Sequence, residues 1–130
     1  MKTIKVVAAV IIENQKVFAT QRGYGAFKGG WEFPGGKIET GETPQQALKR
    51  ELQEELDLRV DVKEKLDTIE YDYETFHLSM QCYLCSIANG TPVLKEHLAA
   101  RWLSKEQLNE VAWLDADIEF VNKLKNILPI

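Results

Sequence analysis

Apolar and polar positions change rhythm several times along the chain. Residues 3–12, "TIKVVAAVII", are dominated by Val, Ile and Ala and predict a β-strand. The polar "ENQK" predicts a turn, and "VFATQR" a second strand. "GYGAFKGG" predicts a flexible loop, and "WEFPGG" an extended segment ending in a tight turn. The period then shifts from two to about 3.6 in "TPQQALKRELQEEL", which predicts the clearest helix, with Thr43 as its cap and Pro44 at its first position. "RVDVKEKLDTIEYDY" and "TFHLSMQCYLCSIA" predict two further strands, "NGTP" a turn and "AARWLS" a short strand. "SKEQLNEV" predicts the start of a helix capped by Ser104, and "DIEFVNKLKNIL" a final amphipathic helix. Strands mixed with two or three helices predict a layered α/β or α+β domain.

Length and charge narrow the picture. The 130 residues suit one domain with one core, spanning 1–130. No apolar run approaches the roughly 20 residues that cross a bilayer, so no membrane partner is expected. Two lysines before the first apolar run resemble a signal peptide, but a small-residue cleavage site is lacking and a first strand fits better. A net charge of −4 argues against a nucleic-acid binder, which needs a basic surface. A nucleotide whose charge is met by metal stays compatible with it. Cys82 and Cys85 have C-x-x-C spacing, but on a strand they point to opposite faces. They are expected to be buried free thiols, consistent with a reducing cytoplasm.

Candidate chemistry sits on the first helix. On a wheel of about 100° per residue, Leu48, Leu52 and Leu56 form one stripe. Glu51, Glu54 and Glu55 fall on the neighbouring stripe. Like charges at such spacing repel by a few tenths of a kcal/mol per pair. A helix that keeps them is either a solvated acidic face or a hard-oxygen site suited to Mg²⁺ or Mn²⁺. The preceding "PGGK" brings bare backbone close, and a carbonyl of Gly35 or Gly36 can add an oxygen. Glu42, eight residues before Arg50, can hold that guanidinium in a fork and tie loop to helix.

These residues carry a family resemblance. "GKIETGETPQQALKRELQEELDL" resembles the Nudix box: a glycine, five residues, a glutamate, seven residues, then R-E-U-x-E-E-x-G-U, where U is a bulky aliphatic. Gly36, Glu42, Arg50, Glu51, Leu52, Glu54, Glu55 and Leu58 occupy matching positions, and Asp57 stands where the family has glycine. Asp tolerates a left-handed helix end better than most residues, so a small stability cost is expected and no loss of chemistry. "VFATQR", "WEFPGGKIE", "KEHLAARWLS" and "LDADIEFV" extend the likeness to the MutT branch.

The resemblance implies an α/β/α sandwich with a mixed sheet between helices. It also implies hydrolysis of a nucleoside triphosphate to the monophosphate and pyrophosphate. Glu51, Glu54 and Glu55 are then metal ligands, with Gly35 or Gly36 assisting and Glu96 as a remote acid. The cofactor is Mg²⁺, with Mn²⁺ as a substitute. Arg50 and Glu42 are supports, and Arg22 contacts the nucleotide. Lys28 is a weaker phosphate candidate, and Lys37 is read as supporting the site from behind or facing solvent.

Asp117 either reads the base or caps the last helix. As an ionised acceptor it would favour an exocyclic amine, and "ADI" there resembles the CTP-type members. Phe33 and Tyr73 are either a stacking surface for the base or core. His77 is read as a structural histidine, and Trp102 and Trp113 as core. Two readings compete with triphosphate hydrolysis. One is cleavage of another nucleoside-diphosphate-linked substrate; the other is a nucleotide sensor without turnover, which has no need of the intact glutamates. The expected partner is a small nucleotide, and the expected state a monomer or weak dimer in the cytoplasm.

Overall fold

A computed structural model of the chain describes residues 1–127. Seven strands and two α-helices follow the order β1 (Lys2–Glu13), β2 (Lys16–Gln21), β3 (Trp31–Glu32), β4 (Gly35–Lys37), α1 (Pro44–Leu56), β5 (Arg59–Asp72), β6 (Phe76–Asn89), β7 (Ala99–Leu103) and α2 (Asp115–Ile127). The main path through the sheet is β3-β2-β1-β6-β5, with β4 paired to β1 and β7 to β2. β1 and β6 run parallel from Lys2↔Phe76 to Ile11↔Cys85, and the other strand pairs are antiparallel. The sheet is therefore mixed.

Alternation along β1 explains the layers. Val7, Ala9 and Ile11 face one side and pack with Leu48, Leu52 and Leu56 of α1. Ala8 and Val10 face the other and pack with Phe120, Val121 and Leu124 of α2. A sheet covered on both faces reads as a near-continuous apolar run, as β1 does. Each fully buried Leu contributes about 1.5–3 kcal/mol as an upper estimate. Cys82 lies in the α2-side core and Cys85 in the α1-side core, both as free thiols.

Local signals set the helix ends. Thr43 Oγ1 accepts from Gln46 N at 3.1 Å, and Gln46 Oε1 accepts from Thr43 N at 2.9 Å, a reciprocal capping box. Asp57 ends α1 at φ 55°, ψ 36°, the left-handed conformation usually given to glycine.

Two expected elements differ. "SKEQLNEV" folds as a short 3₁₀ helix over Lys105–Glu110 rather than an α-helix. Its six residues end where Val111 turns extended, so no further turn follows. The last helix starts at Asp115, two residues earlier than expected. Leu128, the end of that expected helix, lies outside the described residues.

Candidate active site

A cleft of about 520 Å³ opens at the β4 side of the sheet. α1 supplies one wall through Glu51 and Glu55, whose side chains are 14% and 13% exposed. Pairing of β4 with Val6–Ala8 of β1 sets Gly35 and Gly36 opposite them. A side chain at Gly36 would overlap the Glu51 carboxylate, and one at Gly35 would overlap the carbonyl of Val7. Bare backbone is what lets the acidic wall and the strand meet.

Burial and the neighbouring Glu51 push the Glu55 carboxyl up to about 8, and a hydrogen bond with Glu51 adds to the shift. Two carboxylates held together in low dielectric favour a shared proton or a cation. Hard oxygens beside a glycine-edged strand suit a divalent ion, so the residues present fit one. Among the described residues, no three His, Cys, Asp or Glu side chains converge closely enough to hold a metal. Glu51 and Glu55 are brought together, but Glu54 is 60% exposed and outside the cleft lining. Arg50 Nη1 donates to Glu51 at 2.8 Å and more loosely to Glu54 at 3.4 Å. Glu96 is exposed on the loop before β7, and its charge still adds to the upward push on Glu55.

Arg50 also joins the loop to the helix. It donates to Glu42 through Nε at 2.7 Å and Nη2 at 2.9 Å, and through Nη2 to the Lys37 carbonyl at 3.1 Å. The guanidinium holds the Glu42 carboxyl down at about 2.

Across the cleft, Arg22 donates to Glu32 through Nε at 2.9 Å and Nη2 at 2.7 Å. Tyr24 and Phe27 of the following loop line the cleft, with the Arg22 guanidinium 5.9 Å from the Phe27 centroid. Lys37 also lines it, whereas Lys28 does not.

Asp117 is not the cap of α2. It sits in the first turn, faces inward at 4% exposure, and accepts from Phe33 N at 3.1 Å. α2 reaches this place because β3 pins its start: Trp31 N donates to Ala112 O at 2.9 Å, and Leu114 N to Trp31 O at 2.8 Å. Burial, then the charge of Glu32, hold the Asp117 carboxyl well above the usual carboxylate range.

Phe33 and Tyr73 both line the cleft. The Phe33 ring is 3% exposed and stacks on Trp113 at 4.8 Å, so it belongs mainly to the core. Tyr73 stacks on Phe76 at 5.1 Å, and its hydroxyl accepts from Ala116 N at 3.1 Å. His77 stays outside the cleft, between Glu70 and Asp72 at 2.8 and 2.6 Å.

Glu32 and His97 are cleft residues that sequence reasoning missed. Glu32 meets Arg22 only because β3 pairs with β2 at Gln21↔Trp31, a register with no local signal. His97 directly follows Glu96, and its position beside a candidate acid is the signal that was available.

A mixed sheet between two helices thus carries a cleft in which half-buried paired carboxylates meet glycine backbone, an arrangement suited to an α+β hydrolase of phosphoanhydrides. Residues 2–124 match the NUDIX domain model, and the chain belongs to that family of hydrolases, in which dependence on a divalent cation is general. Over 129 residues it is 35% identical to the 8-oxo-dGTP diphosphatase of Escherichia coli (strain K12), covering 98% of this chain and all 100% of that protein. It is also 35% identical over 119 residues to the CTP pyrophosphohydrolase of the same strain, covering 91% and 88% of the two chains. The solution structure of the E. coli ORF135 protein has a TM-score of 0.82 at 32% identity, covering 99% of this chain and 95% of that one. No helix among the described residues is long and apolar enough to cross a membrane.

Proposed function

We propose that the chain, as one Nudix domain over residues 1–130, hydrolyses a nucleoside triphosphate to the monophosphate and pyrophosphate. The substrate is of (d)CTP type, a modified pyrimidine or an oxidised purine. The observation that carries this reading is the half-buried Glu51–Glu55 pair on the cleft wall, beside the Gly35–Gly36 backbone.

Glu51, Glu54 and Glu55, with a carbonyl of Gly35 or Gly36 and with Glu96, hold Mg²⁺ or in its place Mn²⁺. Bound there, such an ion would supply positive charge against the phosphates and make a nearby water more acidic. A glutamate of this set takes the proton from the attacking water. Arg22 meets the nucleotide, oriented by its fork with Glu32. Arg50 and Glu42 hold the loop and the carboxylates in register.

The base enters beside Phe33, Tyr73 and Asp117. Asp117 accepts from the base edge through Oδ2, its Oδ1 being taken by Phe33 N. The guanine-type base named for one relative and the cytosine named for another both carry an exocyclic amine that suits such an acceptor. The protein acts in the cytoplasm as a monomer or weak dimer.

The test is pyrophosphate release with Mg²⁺ across the canonical NTPs and dNTPs, 8-oxo-dGTP, 5-methyl-dCTP and ADP-ribose. Preference for one triphosphate, with pyrophosphate as product, supports the reading and names the base. Turnover of ADP-ribose alone moves the chain to cleavage of diphosphate-linked nucleotides. Binding without turnover of any compound makes it a sensor.

A further inference from the structure

His97 is the polar side chain that the preceding account leaves without a task. It comes from the loop between β6 and β7, and that loop is tied down on both sides. Val93 N donates to Leu56 O at 2.8 Å and Lys95 N to Glu55 O at 3.3 Å, which fixes the loop to the end of α1. Leu98 N donates to Gln21 O at 3.0 Å, which fixes it to the end of β2. Gly23 packs so closely on the Glu96 carbonyl that no side chain fits there. The loop thus straddles the cleft and lowers His97 into it.

The His97 side chain is 8% exposed, and its Nε2 stands 3.8 Å from Glu55 Oε2. Its Nδ1 is buried without a hydrogen-bond partner. Among the described residues, neither ring nitrogen has a hydrogen-bond partner. A buried polar group left unpaired costs stability, and an apolar residue would avoid that cost. Such local violations concentrate at functional sites.

We propose that His97 is a positioning residue for Glu55, its neutral ring donating through Nε2–H to Oε2 and holding the carboxylate in one orientation towards the cation. Closing the gap to hydrogen-bond length takes a shift of about 1 Å. Partners of this kind fix the direction of a metal-binding carboxylate and leave its second oxygen to the ion. The proposal rests on the reading of Glu55 as a metal ligand.

Three variants separate positioning from packing. His97→Leu keeps bulk and removes both nitrogens. His97→Gln returns a donor near the position of Nε2. His97→Asn offers one only near Nδ1. Mn²⁺ affinity is measured without nucleotide, from the free-ion spin-resonance signal, beside kcat, KM and the urea midpoint. Leu and Asn are expected to weaken Mn²⁺ binding about 10–100-fold and to lower kcat by a similar factor. KM stays near wild type, the urea midpoint does not fall and rises in Leu, and Gln recovers most of both losses. Unchanged Mn²⁺ affinity in Leu or Asn overturns the proposal, and so does a Gln variant as poor as Leu. Should Leu fail to fold, the contrast between Asn and Gln carries the same decision.

A metal-free readout keeps this apart from the function itself. Long-range ¹H–¹⁵N spectra of the wild type should show the Nε2–H tautomer at His97, with its shifts moved in Glu55→Gln. An Nδ1–H tautomer, or shifts indifferent to Glu55→Gln, overturns the proposal whatever the protein hydrolyses. A wild type that neither binds Mn²⁺ nor releases pyrophosphate defeats the hydrolase reading instead.

Discussion

Arg50 and Glu42 are locked by two parallel hydrogen bonds, Nε to Oε2 at 2.7 Å and Nη2 to Oε1 at 2.9 Å. The same guanidinium reaches Glu51, Glu54 and the Lys37 carbonyl. One side chain therefore registers the loop, β4 and the acidic face of α1.

Arg50→Lys tests the fork itself. Lysine keeps the charge but is a point donor and cannot bond in two places in one plane. We expect kcat/KM to fall about 10–100-fold, as for loss of a partner that orients metal-binding groups. The urea midpoint should change little beside that loss. Steady-state kinetics with the preferred triphosphate checks this, and wild-type kcat/KM would show that charge alone suffices.

Asp57→Gly tests the departure from the family pattern. Asp57 holds φ at 55°, which costs a non-glycine residue roughly 1 kcal/mol or more. Its side chain returns little: an exposed bond from Gln53 at 3.0 Å and a 3.9 Å approach of Lys95. Glycine should stabilise the chain by about 1 kcal/mol in urea unfolding, at unchanged activity. A destabilised variant would mean that the Gln53 and Lys95 contacts outweigh the strain.

His77 gives a pH dependence of known sign. Hydrogen bonds to Glu70 and then Asp72 raise its pKa above the ordinary histidine value. A raised folded pKa contributes stability that is fully present below the unfolded value, about 6.5. That contribution is lost as pH rises through the raised folded value. The Tm gap between wild type and His77→Asn should be largest near pH 5–6 and shrink above neutrality. A gap that grows with pH would reverse the assignment.

Much of this protein was legible in its residues because the signals are local. Thr43 and Pro44 announce α1, and the leucine and glutamate stripes follow from its period alone. The alternation that put Cys82 and Cys85 on opposite faces of β6 needed no tertiary knowledge. What failed to show depends on long-range contact. Glu32 becomes the partner of Arg22 only through strand pairing, and His97 enters the cleft only because its loop is tied to both α1 and β2. Base contact and cap stayed open for Asp117 because its burial is set by the anchoring of Trp31 to Ala112 and Leu114, far away in sequence. Glu54 lies on the predicted stripe but at its solvent edge, 60% exposed and outside the cleft lining.

The central claim is that the α1 carboxylates carry cation-dependent triphosphate hydrolysis. Pyrophosphate release with Mg²⁺ from wild type, Glu54→Gln and Glu55→Gln, each checked for an unchanged circular dichroism spectrum, tests it most directly. The account predicts a loss of roughly 10²–10⁴-fold in both variants with the fold intact. Near-normal, Mg²⁺-dependent turnover in both would contradict it.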